Sequence, residues 1–528
     1  MPRFPLHKLV IGISAGLLLA CGRLEQPQAV QVPTAAVRPT PLEPPAPLPP
    51  PPESGAQADL VVEVDLSDVQ GTVNPLAGLQ GGPLPVVRGD ADLTEWYRQG
   101  GVDHVRLPQD TLPNNLTLGG VFPNLYAPTD DPRSYDFRRI DRYVGAIVEA
   151  GATPLWQATY DLGGGDTLSA GDTGQQAGRF PVRSDQWASA IQGTLAHFND
   201  GWAGGHTWQV RYVEFTNEPF TLGGCWADGL GLDACWSLFQ TFAAAINGYN
   251  TQSGRDVQIV GPGMVVAPQE LDTQVERLGA LLDQLDPDQL DYLSFHPQGR
   301  TPVEQDGIAQ ELRRLLDTYD GGKFATVGLW ASQWSSVGPG ESGGPRLAAL
   351  DTATRILWQD TVDFATLYRA DRWPQGPAGL ADPDTGEVAC ADAVVCEESP
   401  YFTPDGEPKA PFWPFLALAE IGRETPERVA VANARQHLTP VLAARSADAG
   451  QLSVLMAAPN AVSETYTIVL SELPPGVSFR AERFVVDDLT EEWEPREETS
   501  VQTESDGTLT LNGQFFGPSV VYWRLRAE

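Results

Sequence analysis

The segment Val213-Glu214-Phe215-Thr216-Asn217-Glu218-Pro219-Phe220 is an apolar run ending in Asn-Glu-Pro. It is predicted to be a strand whose C-terminal end turns sharply at the proline. Glu218 then stands at a strand tip, where a carboxyl group can give or take a proton during bond cleavage. Asn217 beside it offers a carboxamide to the same cleft, or else only shapes the turn before Pro219. A second apolar run, Phe324 to Trp330, leads into Ala331-Ser332-Gln333-Trp334-Ser335-Ser336. Gln333 has the size and shape of a glutamate without its charge, so it neither attacks as a nucleophile nor steadies a developing cation. Its amide suits hydroxyl recognition; with a shifted register it would be an ordinary loop residue.

Side chains at strand tips need a frame that brings the tips together. From about Asp59 to Thr425 strand and helix patterns alternate. Ile140, Tyr143, Val144, Ile147 and Val148 fall at helical spacing, Gly151 follows as a stop, and Thr153 to Ala158 reads as a strand. A helix around Leu312, Leu315 and Leu316 pairs with the strand Phe324 to Trp330, and a helix from Phe239 to Ile246 pairs with the strand Val257 to Gly261. Val362 to Arg369 is the expected eighth strand. Such repetition implies a parallel sheet, and here an α/β fold of the (β/α)8 TIM-barrel type, whose strand tips form the open face. After Glu427 the texture changes to short runs such as Thr465 to Leu470, Phe484 to Val486 and Val520 to Leu525, separated by Pro, Gly, Asn and Asp. This predicts a C-terminal antiparallel β-sandwich.

Further segments carry a resemblance: Val105-Arg106, Asp131-Pro132-Arg133-Ser134-Tyr135-Asp136-Phe137, Val260-Gly261-Pro262-Gly263, Asp291-Tyr292-Leu293-Ser294-Phe295-His296, Phe402-Thr403-Pro404-Asp405-Gly406, and Lys409 to Leu416. With Asn217-Glu218-Pro219 and Gln333-Trp334 they make the chain resemble glycoside hydrolase family 39 and its relatives among the retaining (β/α)8 glycosidases, over roughly residues 60 to 430. The resemblance implies Glu218 as general acid/base, sets Gln333 where the family carries its nucleophilic glutamate, and matches Trp334 to the tryptophan that follows. It also implies that Leu60 to Leu66 adds a strand to the sandwich.

Retaining hydrolysis needs two carboxyl groups ~5–5.5 Å apart, one acting as acid then base and the other attacking the anomeric carbon. Half of that pair is present. Neighbouring positions depart from the family as well. Thr216 replaces the tryptophan before Asn-Glu-Pro, His296-Pro297-Gln298 lacks the tyrosine that supports the nucleophile, and Arg106-Leu107-Pro108-Gln109-Asp110 lacks the histidine after the arginine. Asp110 and Glu341 are the acids that could stand in. Asp110 would also be the first base for an inverting route, which needs ~6.5–9.5 Å between the carboxyls. His296 reads as a cleft residue or a packed core histidine, and Arg106 as a sugar ligand or an ion-pair residue at the barrel floor. Trp226, Trp236 and Trp334 lie near the candidate site; aromatic faces pack on sugar rings, although most tryptophans are simply buried. The expected substrate-binding set is Asn217, His296, Trp334, Arg106 and Asp110, with no cofactor and no metal.

The N-terminus carries Arg3 and Lys8, an apolar stretch from Leu9 to Ala20, and Cys21. That stretch is shorter than the ~20 residues a spanning helix needs, so it reads as a signal peptide. Leu18-Leu19-Ala20-Cys21 resembles a bacterial lipoprotein signal, making Cys21 the lipidated first residue of a protein anchored to the cell envelope; an ordinary signal peptide with a chance cysteine is the alternative. The expected organisation is signal 1–21, proline-rich extended linker 22–57, barrel 58–426 and sandwich 427–528. Four cysteines follow Cys21, with Cys225/Cys235 and Cys390/Cys396 as the local disulfide pairs, and crossed pairing stays open. No histidine lies near either pair, which argues against zinc there.

The net charge of −35 excludes nucleic acid as a natural partner and suits a neutral or basic glycan better than a sulfated one. The partner expected is an oligo- or polysaccharide, with the membrane touched only through the lipid. Three function classes follow: a glycosidase using Glu218 with an unconventional second group, a glycan-binding protein without turnover, and a surface scaffold that keeps the fold alone.

Overall fold

The computed structural model describes residues 58–107, 116–124, 126–158, 184–219, 232–299, 301–336, 343–368, 373–375, 387, 389–390, 395–432, 438–490 and 492–528. Cys21, the proline-rich segment, Asp110, Cys225, Trp226 and Glu341 lie outside the described residues. Residues 57–528 make one compact unit. No helix among the described residues is long and apolar enough to cross a membrane.

The first strand, β1 (Leu60–Thr72), belongs to the C-terminal sheet. The next eight close into a parallel barrel in chain order: β2 (Gly78–Gln80), β3 (His104–Arg106), β4 (Thr153–Gln157), β5 (Tyr212–Glu214), β6 (Gln258–Val266), β7 (Tyr292–Pro297), β8 (Gly328–Trp334) and β9 (Phe364–Leu367). The β2–β9 pairing, Gly78 to Thr366 and Leu79 to Leu367, completes the ring. Around it run α1 (Thr94–Gln99), the short α2 (Leu118–Val121), α3 (Arg138–Glu149), α4 (Ser184–Asp200), α5 (Leu232–Ser253), α6 (Leu271–Leu282), α7 (Pro302–Thr318), α8 (Pro345–Leu357) and α9 (Trp413–Glu424). The expected (β/α)8 fold is the observed one.

Local chemistry explains several of these elements. α3 buries Ile140, Tyr143, Val144 and Ile147, and Gly151 follows it at φ +88°. α7 opens with Pro302 behind a capping box, in which Thr301 Oγ1 accepts the Glu304 N–H at 3.2 Å and Glu304 accepts the Thr301 N–H at 3.0 Å. The boundary nearest the site differs from expectation. Phe324 to Val327 is a turn, and the strand is Gly328–Trp334, which carries Gln333 inside its last turn of pleat rather than beyond it.

The barrel interior is filled in layers by the two-residue alternation of its strands. An aromatic layer comes first: His104, Tyr212, Tyr292, Trp330 and Phe364, with ring centroids 4.3–5.9 Å apart. Two residues on, the same faces present Arg106, Glu214, Ser294 and Ser332, joined by Gln157. The polar layer therefore rests on an apolar floor.

Past α9 come β12 (Glu427–Ala432), β13 (Val441–Arg445), β14 (Gln451–Ala458), β15 (Glu464–Ser471), β16 (Ser478–Val486), β17 (Glu497–Gln502), β18 (Leu509–Phe515) and β19 (Ser519–Ala527); before it, a small ribbon of β10 (Trp373–Gln375) and β11 (Val395–Glu397) lies beside the Cys390–Cys396 disulfide. The nine sandwich strands run in the order β17-β16-β19-β14-β13-β12-β1-β15-β18, antiparallel except for β1 with β15. β1 is thus the added strand expected of Leu60 to Leu66, and the segment 58–426 gives up its first strand to the C-terminal domain. The inner faces of strands remote in that order, such as Val62, Ile468, Phe479 and Trp523, meet in one core, which makes the sheet a sandwich.

The outer face of the sandwich packs on the barrel through Leu455, Phe484, Val520 and Tyr522. Beside this contact Arg524 Nη1 donates to Glu420 of α9 at 2.7 Å and Nε donates to Glu482 at 2.7 Å. Both acids are nearly buried. Arg524→Met should therefore destabilise the protein by on the order of 2 kcal/mol, because two poorly hydrated carboxylates lose their nearest shared cation and keep only the longer contacts to Arg526 and, for Glu482, Arg480. Denaturant unfolding of parent and variant measures it, and a change within experimental error would show the network to be dispensable.

Candidate functional site

The site forms where β3, β5, β7 and β8 end. Arg106 closes β3 with no solvent exposure. Its Nε donates to Glu214 Oε2 (2.7 Å), its Nη1 to Gln333 Oε1 (3.0 Å) and its Nη2 to Asn217 Oδ1 (2.8 Å). Gln157 Nε2 donates to the same Glu214 oxygen at 2.9 Å. Burial pushes the Glu214 carboxyl up, but the positive charge of Arg106, the neighbouring His296 and hydrogen bonding by Ser332 and Arg106 together outweigh it and hold the pKa below the ordinary glutamate value.

Glu218 lies four residues beyond Glu214, after the chain has left the strand. Its backbone sits in the left-handed region at φ +49°, uncommon for a residue with a side chain. The Glu218 N–H donates to Gly263 O at 2.8 Å, which holds that conformation. Gly263 is itself at φ +68°, and a Cβ there would lie 2.5 Å from the carbonyl oxygen of Thr216, so only glycine lets the two loops approach. The Glu218 side chain stays partly open to solvent, at 23% exposure.

His296, on β7, is buried. Its Nδ1 lies 3.1 Å from Glu218 Oε1 and its Nε2 lies 3.2 Å from the Ser332 hydroxyl. Burial lowers the His296 pKa. In the neutral ring that burial favours, the network assigns the proton to Nδ1, which donates to Glu218, while Ser332 donates to Nε2. Burial pushes the Glu218 carboxyl up; the hydrogen bond from His296 and the charge of Arg106 pull it down further, leaving it below its ordinary value. Gln333 Nε2 donates weakly to Glu218 Oε1 at 3.5 Å.

The structure brings together Arg106, Asn217, Glu218, His296 and Gln333, all named from sequence. Arg106 makes the ion pair of one of its two readings, above the aromatic layer rather than at the barrel floor, and His296 is buried with Nδ1 against Glu218. Trp334 is a correction: its ring is 1% exposed and packs outside the barrel against Trp358 (4.9 Å between centroids) and the Arg355 guanidinium (5.3 Å). A register irregularity between Ala331 and Trp334, relative to β9, breaks the alternation, so that Ser332 and Gln333 both face inward and Trp334 turns outward. Trp236 is fully buried, and Cys235 is disulfide-bonded.

Sequence reasoning missed Glu214, Gln157, Ser332 and Gly263 as parts of the site. A signal existed for the first: a charged residue inside the apolar run Tyr212-Val213-Glu214-Phe215 requires a buried partner.

No family model matches the chain, and no curated protein matches it. Solved structures do. The chain is similar to a glucosidase from Croceicoccus marinus, with a TM-score of 0.64 and 20% identity over 88% of this chain and 99% of that one. It is similar to a monomeric beta-xylosidase from Caulobacter crescentus CB15, at 0.61 and 15% over 88% and 99%. It is also similar to a GH39 enzyme from Xanthomonas axonopodis pv. citri, at 0.60 and 13% over 89% and 98%. The chain has the fold of the GH39 and GH51 glycosidases.

The lowered Glu218 pKa has a consequence for stability. A carboxyl whose folded pKa is depressed stabilises above its unfolded value, ~4.3, and loses that contribution as pH falls through the folded value. The stability difference between parent and Glu218→Gln should thus shift against the parent as pH drops from roughly 6 to roughly 4 and lower. Denaturant titrations across that range test this; a shift toward the parent on acidification would mean that the carboxyl is held high.

Proposed function

We propose that this chain is a glycan-binding barrel on a glycosidase frame, held at the bacterial cell envelope by a lipid on Cys21, and that it grips oligosaccharide without covalent double displacement. The observation that carries the reading is the Gln333 carboxamide, bonded to Arg106 on one side and facing Glu218 on the other. A carboxamide at that place forms no glycosyl intermediate. The nearest other carboxylate among the described residues, Glu214, is closed off from solvent and committed to Arg106. Glu218 is poised as an anion, which suits a hydrogen-bond acceptor better than a proton donor to a leaving group.

What remains is a recognition surface. Arg106 occupies the oxygen of Asn217, so the Asn217 NH2 group is left for the cleft, beside the acceptor oxygens of Glu218. Such alternating donors and acceptors match sugar hydroxyls. A glucosidase and a beta-xylosidase share the fold, which supports a carbohydrate as the ligand class. The strongly acidic chain favours a neutral or basic one. Turnover by Glu218 with an acid from outside the described residues, Asp110 or Glu341, is the competing reading, and the partial exposure of Glu218 is what favours it.

Calorimetric titration of the full-length chain with oligosaccharides, beside aryl glycoside hydrolysis, separates the two. Saturable binding without released product is expected, with Asn217→Ala weakening affinity about tenfold, the worth of one good hydrogen bond. Gln333→Glu should gain measurable hydrolysis, since it restores the second carboxylate. Hydrolysis by the parent that disappears in Glu218→Gln would overturn the reading and send the search to another carboxylate.

A further inference from the structure

On the outside of the barrel, away from the strand tips, Asp141 of α3, His197 of α4 and His206 of the following loop converge. One ligand atom from each lies within 4.8 Å of the others, and among the described residues this is the only such group of three. We propose that it is a mononuclear divalent-metal site of the zinc type, with two imidazoles and one carboxylate as protein ligands and a fourth position open to solvent.

Each ligand is prepared for that role. His197 Nδ1 lies 3.0 Å from the Trp202 carbonyl oxygen, which requires a proton on Nδ1 and leaves Nε2 as the nitrogen for a metal; without one, Nε2 meets Asp141 Oδ1 at 2.8 Å through a shared proton. A backbone carbonyl that fixes the tautomer of a histidine in this way is the usual support of a metal ligand. His206 Nε2 faces the other oxygen, Oδ2, at 3.4 Å and is buried without a hydrogen-bond partner. Tetrahedral zinc with bonds of ~2.0–2.2 Å separates its donors by roughly 3.3–3.6 Å, so the His206 to Asp141 spacing already fits. The His197 to Asp141 contact is shorter; there the metal would displace the shared proton and the carboxylate would turn slightly.

Packing holds both rings still. His197 stacks on Phe137 with centroids 3.5 Å apart and 2° between planes, and His206 stacks on Trp208 at 3.5 Å and 7°. Asp141 and His197 also line an open hollow of about 510 Å³, with Tyr135 and Ala203 on its walls, which leaves room for a water or an anionic ligand in the fourth position. Two cations at the hollow, Arg133 and Arg138, are each matched to a carboxylate, Asp131 and Asp136, so they do not repel a metal ion. The group stayed out of reach in the sequence, because Asp141 and His197 stand 56 residues apart on separate helices.

The test is zinc titration of the chelator-stripped full chain, with Co2+ in a parallel sample. One equivalent of Zn2+ should bind, the Co2+ form should show visible absorption of tetrahedral type, and the melting temperature should rise with added zinc. His206→Ala and Asp141→Asn should each weaken binding more than the ~10–100-fold that loss of a supporting partner costs. His206 is 33% exposed on a loop, so its variant keeps the fold, which circular dichroism without metal verifies. Failure to bind zinc at micromolar concentration, or binding equally tight in the parent and both variants, overturns the proposal. Neither outcome bears on glycan binding, because no residue of the group touches the strand-tip site.

Discussion

A guanidinium with no solvent contact decides how the mouth of this barrel is built. Arg106 reaches across from β3 to a carboxylate of β5, to an asparagine just beyond β5, and to the carboxamide at the end of β8. Removing an ion from water costs several kcal/mol unless partners are in place, so each of these contacts is required by the one before it. Glu214 supplies the countercharge, and Gln157 shares the oxygen that receives it. The aromatic layer beneath excludes water, which both raises the cost of a missing partner and strengthens the bonds that are made.

That arrangement sets the acid–base poise of Glu218. In the double-displacement scheme the acid/base residue must begin protonated, and a neighbouring carboxylate raises its pKa by like-charge repulsion. Here the neighbour is an uncharged amide at 3.5 Å, while His296 donates to Glu218 and Arg106 adds a positive potential. The uncharged side chain at position 333 therefore adds no like-charge repulsion, and the Glu218 carboxyl stays below its ordinary value.

Much of this frame was legible in the sequence, and the parts that were not have identifiable causes. Helical spacing in Ile140 to Val148 and the Gly151 stop gave α3, and the Asn-Glu-Pro turn gave the position of Glu218, because both depend on local periodicity and local turn chemistry. Assigning β1 to the sandwich needed the family resemblance, since its partners, β12 and β15, lie more than 350 residues on in the chain. Trp334 goes the other way: closeness in sequence to Gln333 does not tell which face of the strand a ring takes, and here it packs outward against Trp358. The contacts of Glu214 and Gln157 are made between strands, so their part in the site emerges only once the barrel has closed.

The irregularity in β8 also separates what holds the strand end from what faces the cleft. Trp334 is wedged between Trp358 and Arg355, and the Arg355 guanidinium lies 4.0 Å from the Phe415 ring while its Nε donates to the Leu76 carbonyl. These contacts lie on the helix side of the barrel wall. They fix the backbone at residue 333 from behind, whatever side chain stands there. Glutamate and glutamine differ little in volume, and Arg106 can donate to a side-chain oxygen of either, so an exchange between them leaves the packing untouched. A strand end held by apolar contacts on its outer face thus keeps its backbone path whichever of these two side chains it carries on its inner face.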